Sequence, residues 1–295
     1  MASSSGIKIL FVINPGSGNN NTDWAELISR HFNSRPEFIL DIIDLGEKCD
    51  LEDIRKKIKS FQPSRVIAVG GDGTVKMVAE CVLNSDIVLG ILPAGSANGM
   101  AKELAIPEKP IQALDIITEG MVKKIHATTV NDHLCVHLSD IGFNAFLIKK
   151  FDTLQARGMW GYMKASFKVM LNNPKMDVEI MVDNHVVRTR AAMVVIANAT
   201  KYGSGAVINP VGKLDDELFE VVALKKISIA EIFKMTFLNK PHNTAKMEVF
   251  QTTALTIRSK KRVHFQVDGE YLGKVGVVKA EILPHSLAVL VPAEK

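Results

Sequence analysis

Three glycine-rich turns carry the residues most able to do chemistry. They are Asn14-Pro15-Gly16-Ser17-Gly18, Gly70-Gly71-Asp72-Gly73-Thr74 and Gly95-Ser96-Ala97-Asn98-Gly99. Each follows a short apolar run, at residues 7–13, 66–69 and 87–92. A strand that empties into glycines before a helix exposes backbone N–H groups, which favour phosphate. Asp72 is out of place in a simple anion cradle, because its carboxylate repels phosphate. It fits if a metal cation or a reacting hydroxyl is held there too, so the first expectation is a phosphate-transfer site.

The elements that must position these turns alternate. Strand-like runs at 7–13, 38–43, 66–69 and 87–92 are interleaved with helix-like segments at 23–32, 51–61, 75–83, 97–104 and 111–118. This alternation implies a mostly parallel sheet covered on both faces. In such a sheet, ligands bind beyond the carboxyl ends of the strands. All three turns lie at such ends, so together they predict a polyphosphate ligand far more strongly than one glycine turn would. There is neither a Gly-x-Gly-x-x-Gly fingerprint nor a Walker A lysine, which excludes the standard dinucleotide and P-loop sites.

From about Met121 short strand-like runs dominate: 134–138, 178–182, 193–197, 219–224, 255–257, 263–267, 275–282 and 287–291. The reading is therefore α/β plus β. Residues 1–123 form a Rossmann-like α/β/α nucleotide-binding domain, with room for the extreme C-terminus to pack back on it. Residues 124–295 form a mostly antiparallel β-sandwich with a helical insertion at about 143–171.

Composition narrows the class. With 47% apolar residues among 295, the chain can bury a large core. Three cysteines, Cys49, Cys81 and Cys135, have no metal-like spacing and suit a reducing compartment. No basic n-region precedes residues 7–13, and no apolar run approaches the ~20 residues of a membrane span. The expectation is a cytoplasmic protein, at most peripheral to a membrane. Residues 1–125 hold 14 Lys+Arg against 16 Asp+Glu, and residues 126–295 hold 22 against 16. The mildly basic second half suits an anionic partner such as a membrane surface, or is ordinary surface variation.

The ordered motifs Asn-Pro-x-Ser-Gly, Gly-Gly-Asp-Gly-Thr and Leu-Pro-Ala-Gly-Ser-x-Asn resemble the diacylglycerol kinase catalytic domain, whose superfamily includes bacterial lipid kinases, sphingosine kinases and ceramide kinases. The resemblance continues through residues 198–202, Ile208-Asn209-Pro210, Leu214-Asp215-Asp216 and Val267-Asp268-Gly269-Glu270. It implies that Asn14, Pro15, Gly16, Ser17, Gly18, Gly70, Gly71, Asp72, Gly73 and Thr74 hold ATP, with Gly95, Ser96 and Asn98. It implies a Mg²⁺ at Lys213, Asp216 and Leu218, through the aspartate and main-chain carbonyls. It implies a general base at Glu270 with Asp268 beside it, or at Asp72 as in sphingosine-kinase-like members. On the residues alone, Asp268-Gly269 reads as a plain hairpin turn, and Asp215, Asp216 and Glu217 as a solvated acidic turn.

Four positions depart from the family pattern: Lys76-Met77 in place of Asn-Glu, Gly99 in place of an aspartate, and Glu217 in place of a glycine. Lys76 is a candidate to serve the triphosphate. Trp160, Tyr162, Met163, Phe167 and Met170 interleave with basic residues over 158–171, as in an interfacial helix or an amphipathic helix packed on the β domain. Lys260-Lys261-Arg262 is a charged turn or a lipid-head site. The expected function is ATP-dependent transfer of a γ-phosphoryl group to a lipid hydroxyl, on diacylglycerol or a related lipid such as a sphingoid base, with no nucleic-acid partner. An exposed sheet edge would permit a homodimer. The rivals are an NAD kinase-like enzyme, which lacks here its usual Asn-Glu pair, and a catalytically weakened nucleotide-binding regulator.

Overall fold

The computed structural model describes residues 6–18, 22–46, 50–154, 175–183, 185–202, 206–209, 211–226 and 247–293. They fall into two units, Met1–Ile125 with His285–Lys295, and His126–Pro284.

The first unit runs β1 (Ile7–Ile13), α1 (Trp24–Phe32), β2 (Phe38–Asp44), α2 (Leu51–Phe61), β3 (Arg65–Gly70), α3 (Asp72–Val82), β4 (Val88–Pro93), α4 (Gly99–Glu103) and α5 (Pro110–Glu119). The strands pair in parallel in the order β2-β1-β3-β4. The central strands β1, β3 and β4 are almost continuously apolar and buried, as a strand covered on both faces must be. Helix starts are specified locally. Asp23 caps α1 by accepting from Glu26 N, and Asp50 and Asp53 form a capping box on α2. Helix α3 begins at Asp72, three residues ahead of the start expected from its apolar pattern, so Asp72 and Gly73 lie inside its first turn.

The second unit contains the end of β5 (Met121–Val130), then β6 (His133–Cys135), β7 (Leu138–Gly142), α6 (Phe143–Leu154), β8 (Met176–Val182), β9 (His185–Ala191) and β10 (Met193–Ala197). The short pair β11 (Lys201–Tyr202) and β12 (Ala206–Val207) follows, then β13 (Phe219–Leu224), β14 (Met247–Thr252), β15 (Ala254–Val267) and β16 (Glu270–Val291). Pairing is antiparallel along β7-β10-β13-β14 and along β15-β8-β9. Strand β15 serves both arrays: residues 255–259 pair with β8 and residues 265–267 with β7, with a register shift between Arg258 and Val263. Val178, Ile180, Leu255 and Ile257 from one array share a core with Ile141, Ile196, Phe219 and Val221 from the other. This is sandwich packing.

Several strands differ from the sequence reading. The expected strand 134–138 is two strands, because the N–H groups of residues 136–138 turn to a side chain instead of a ladder. Strands β5, β9 and β14 were not foreseen, since Lys, Arg, Glu and Gln interrupt their apolar residues. The runs 275–282 and 287–291 are one strand, and the chain passes between units at Pro284 and His285 (φ 49°). Its last part pairs in parallel with β4, Ala288 opposite Val88. The expected insertion begins as α6, and residues 155–171, including Trp160, Tyr162, Met163, Phe167 and Met170, lie outside the described residues.

Candidate active site

The three glycine turns interlock into one wall of the first unit. Asn14, at the end of β1, donates from Nδ2 to Thr74 Oγ1 at 3.1 Å and accepts Gly16 N on Oδ1 at 3.0 Å. This joins the first turn to the second. Gly18 has φ +67°, and a Cβ there would lie 2.5 Å from Ala94 O, so the first turn also abuts the third. A Cβ on Gly95 would lie 2.4 Å from Gly71 Cα, so backbone packs on backbone between the second and third. Asn98, at φ 52°, closes the third turn by bonding both Gly95 N and Gly95 O at 2.9 Å. Gly71, the N-cap of α3, makes no side-chain cap, so no side chain occupies that helix N-terminus where an anion would bind.

Asp72 has a role that neither expectation named. Its carboxylate accepts Gly99 N at 2.9 Å and Met100 N at 3.0 Å, the first two N–H groups of α4. The helix end neutralises the charge that seemed out of place, and the contact ties the second turn to the third. Each carboxylate oxygen keeps a second lone pair for a cation or a hydroxyl. Gly99 departs from the family pattern in side chain only, since its N–H is what Asp72 uses.

In the second unit, Asp268-Gly269 is a two-residue hairpin turn between β15 and β16, with φ of 49° and 86°. Left-handed conformations at both positions are what such a tight hairpin needs. The Asp268 carboxylate accepts Val136 N, His137 N and Leu138 N at 3.0, 3.0 and 3.1 Å. Its work in this geometry is to hold the β6–β7 loop. Gln266 fixes the same turn, accepting Gly269 N at 2.7 Å and donating to buried Asp140 at 2.5 Å. Asp140 in turn accepts Asn144 Nδ2 and Ala145 N in the first turn of α6. Glu270, the first residue of β16, is exposed on this braced turn. Next to it Tyr271 Oη lies 2.7 Å from His264 Nδ1, and burial, then Lys274 and Lys149, bring the His264 pKa down to about 4.

The loop of Lys213, Asp216 and Leu218 is organised by Asp216, whose Oδ1 accepts Leu218 N at 3.2 Å. Lys213 is exposed, and Leu214 is buried with its carbonyl accepting His126 N at 2.8 Å. Glu217 takes φ 60°, which explains why glycine is the usual residue there. Among the described residues no group of three or more His, Cys, Asp or Glu could hold a metal. One carboxylate with main-chain carbonyls is instead a hard-oxygen donor set, completed by water, which suits Mg²⁺.

Two residues without an assigned role brace these loops. Glu220, fully buried in β13, accepts Asn209 Nδ2 at 2.5 Å and Gln251 Nε2 at 3.0 Å, and burial raises its pKa. A lone acid in the run Phe-Glu-Val-Val-Ala-Leu was a signal available in sequence. Asn198 donates from Nδ2 to His126 O and Val136 O, at 3.1 and 2.9 Å, and accepts Thr128 Oγ1 at 3.1 Å. It thus joins the segment that holds Leu214 to the loop that Asp268 holds. Only its place in an ordered motif marked it in sequence.

Comparison with known proteins bears on the family and the fold. Residues 8–130 match the diacylglycerol kinase catalytic domain, and residues 140–291 match the YegS C-terminal NAD kinase beta sandwich-like domain. A diacylglycerol kinase from Staphylococcus aureus is 27% identical over 217 residues, covering 71% of this chain and 69% of the relative. The crystal structure of a diacylglycerol kinase from Bacillus anthracis superposes with TM-score 0.72 at 19% identity, over 96% of both chains. An NAD kinase from Archaeoglobus fulgidus, solved in complex with ATP, gives TM-score 0.57 at 13% identity, over 96% of this chain and 93% of the other. The expected fold class, an α/β domain followed by an antiparallel β-sandwich, is the one these structures share.

Proposed function

Because this chain belongs to the family that joins a diacylglycerol kinase catalytic domain to a YegS C-terminal NAD kinase beta sandwich-like domain, we propose that it transfers the γ-phosphoryl group of ATP to a lipid hydroxyl. Diacylglycerol or a related lipid such as a sphingoid base is the proposed acceptor. The observation that carries the reading is the interlocked wall of Asn14–Thr74, Gly18–Ala94 and Gly71–Gly95 contacts. It brings helix N-terminal and glycine-turn backbone together, as a polyphosphate requires. That the NAD kinase of the same fold was solved with ATP supports ATP as the donor.

In this reading Glu270 is the general base. Its carboxylate takes the proton of the lipid hydroxyl as that oxygen attacks the γ-phosphorus, and the bond to the β-phosphate oxygen breaks to release ADP. Asp268 and Gln266 position the turn that carries it. Asp216, with the carbonyls of Lys213 and Leu218, would hold Mg²⁺, which when bound neutralises phosphoryl charge. Asp72 fastens the turns that receive the phosphates. Among the described residues no helix is long and apolar enough to cross a membrane.

The test is transfer of γ-labelled phosphate from ATP to a panel of lipids carrying a free hydroxyl. Label in a lipid is the expected result. Label in NAD would support the NAD kinase-like rival instead. ATP binding with no transfer to any acceptor would support a regulator that has lost catalysis.

A further inference from the structure

On β9, β8 and the first part of β15, side chains alternate between the core and solvent. Val178, Ile180, Leu255 and Ile257 point inward. The outward positions form two rows across the strands. Arg188 faces Glu179, which faces Arg258, and Arg190 faces Asp177, with Lys260 one step along β15. Arg188 and Arg190 pair with Glu179 and Asp177 at 2.8 and 3.8 Å while staying 80% and 72% exposed. Glu179 is bracketed by two cations, and Asp177 shares its cleft with Arg190 and Lys260, so each group keeps a surplus of one. Lys175, Lys261 and Arg262 add three more around an adjoining cleft of about 390 Å³ that Arg190 and Lys260 also line.

Seven cations against two carboxylates leave a surplus of five, where the whole chain carries a formal +4. This one face therefore carries a local positive surplus larger than the net charge of the whole chain. The alternation of the pleated strands places Arg188, Arg190 and Arg258 there, because on the inward face they would lie in an apolar core, and the adjoining cleft brings Lys175, Lys261 and Arg262 beside them. Val186, 54% exposed, continues the outward series of β9 and adds an apolar contact at its end.

We propose that this solvent face of β9, β8 and β15 docks the protein on an anionic bilayer. The inference rests on the lipid-kinase reading for its choice of partner. A cationic strand face suits a diffuse layer of phosphate headgroups, where each Lys or Arg near the surface contributes about 1 kcal/mol. The face brings the protein to the surface where its acceptor lies.

The test is flotation of the full-length protein with neutral phosphatidylcholine vesicles and with vesicles in which part of the lipid is phosphatidylglycerol. Binding only to the anionic vesicles, lost at high salt, is expected. The triple variant Lys175→Glu, Lys260→Glu, Lys261→Glu alters exposed side chains and keeps the wild-type melting temperature. Its partitioning onto anionic vesicles should fall by on the order of a hundredfold, while transfer to lipid dispersed in neutral micelles is unchanged. Equal binding to both vesicle types, or undiminished binding by the variant, overturns the proposal. So does retention on duplex DNA without vesicle binding. Release by inorganic phosphate at constant ionic strength would assign the face to a free anion and also overturn it. The two readings fail separately: absence of transfer in micelles sinks the kinase, and absence of vesicle binding sinks the docking face.

Discussion

In the glycine-turn wall of the first unit, backbone lies against backbone, and side chains such as Asn14, Asp72 and Asn98 close the gaps. In the loops of the second unit, buried side chains do the holding: Asp268, Gln266, Asn198 and Glu220 each satisfy several partners. The first arrangement suits a ligand recognised by N–H groups and close approach. The second suits reactive groups that must be aimed, with Glu270 and Asp216 on turns that other residues fix. Of the acidic residues singled out from the motifs, Asp72 and Asp268 accept backbone N–H groups of distant loops, and Glu270 lies on the exposed side of the turn that Asp268 braces. The difference sets the residues that build these loops apart from the one proposed as the base.

Exchanging Glu270 for Gln tests that separation with the largest expected effect. Loss of a positioned base should lower kcat by about 10²- to 10⁴-fold. The melting temperature should change little, because Gln keeps the size and hydrogen-bonding capacity of this exposed residue. A variant with full kcat would move the base elsewhere, with Asp72 the first alternative. Asp268→Ala should behave in the opposite sense. It strips a charged acceptor from three backbone N–H groups, each such bond worth about 1.5–3 kcal/mol, so melting should drop sharply along with the rate. If Asp268→Ala melts like the wild type and only the rate falls, the bracing role assigned to it is wrong.

Gly95→Ala probes the backbone-built wall. Its Cβ would lie 2.4 Å from Gly71 Cα, where no flexible side chain can yield. Overpacking of this kind costs about 1–3 kcal/mol, and ATP affinity measured by calorimetry should fall with it. Gly16→Ala is the control, since its nearest neighbour would be Asn14 Oδ1 at 3.4 Å. Equal ATP affinity in the two variants would mean that the interlock does not shape the nucleotide site.

How much of this was legible in sequence follows from how far apart the partners lie. The wall was legible, because three glycine turns at strand ends announce themselves within a few residues each. The hairpin at Asp268-Gly269 was legible as a turn from two residues alone. The tasks of Asp72 and Asp268 were not, because their N–H partners lie 27 to 28 and 130 to 132 positions away. Asn198 reaches partners 62 to 72 positions away in the chain, and nothing local marks it as a brace. Strand β9 was hidden because its outward face is the cationic row, which thins the apolar pattern to Val186, Val187 and Ala191.

The smallest effect concerns the loop proposed to hold the cation. Glu217 occupies a left-handed conformation at φ 60°, which costs an L-residue about 1–2 kcal/mol. Glycine adopts the conformation freely but adds freedom to the unfolded chain, which opposes about 0.5–1 kcal/mol of the gain. Glu217→Gly should therefore raise stability by about 0.5 kcal/mol, seen as a small rise in the denaturant midpoint with an unchanged slope. It also removes a carboxylate beside Asp216, so the Mg²⁺ dependence of transfer reports whether Glu217 helps to attract the cation. A lower midpoint would mean that the Glu217 side chain stabilises the loop by more than its backbone strain costs. In that case the loop of the second unit would depend on side-chain bracing even at a position where the family uses glycine.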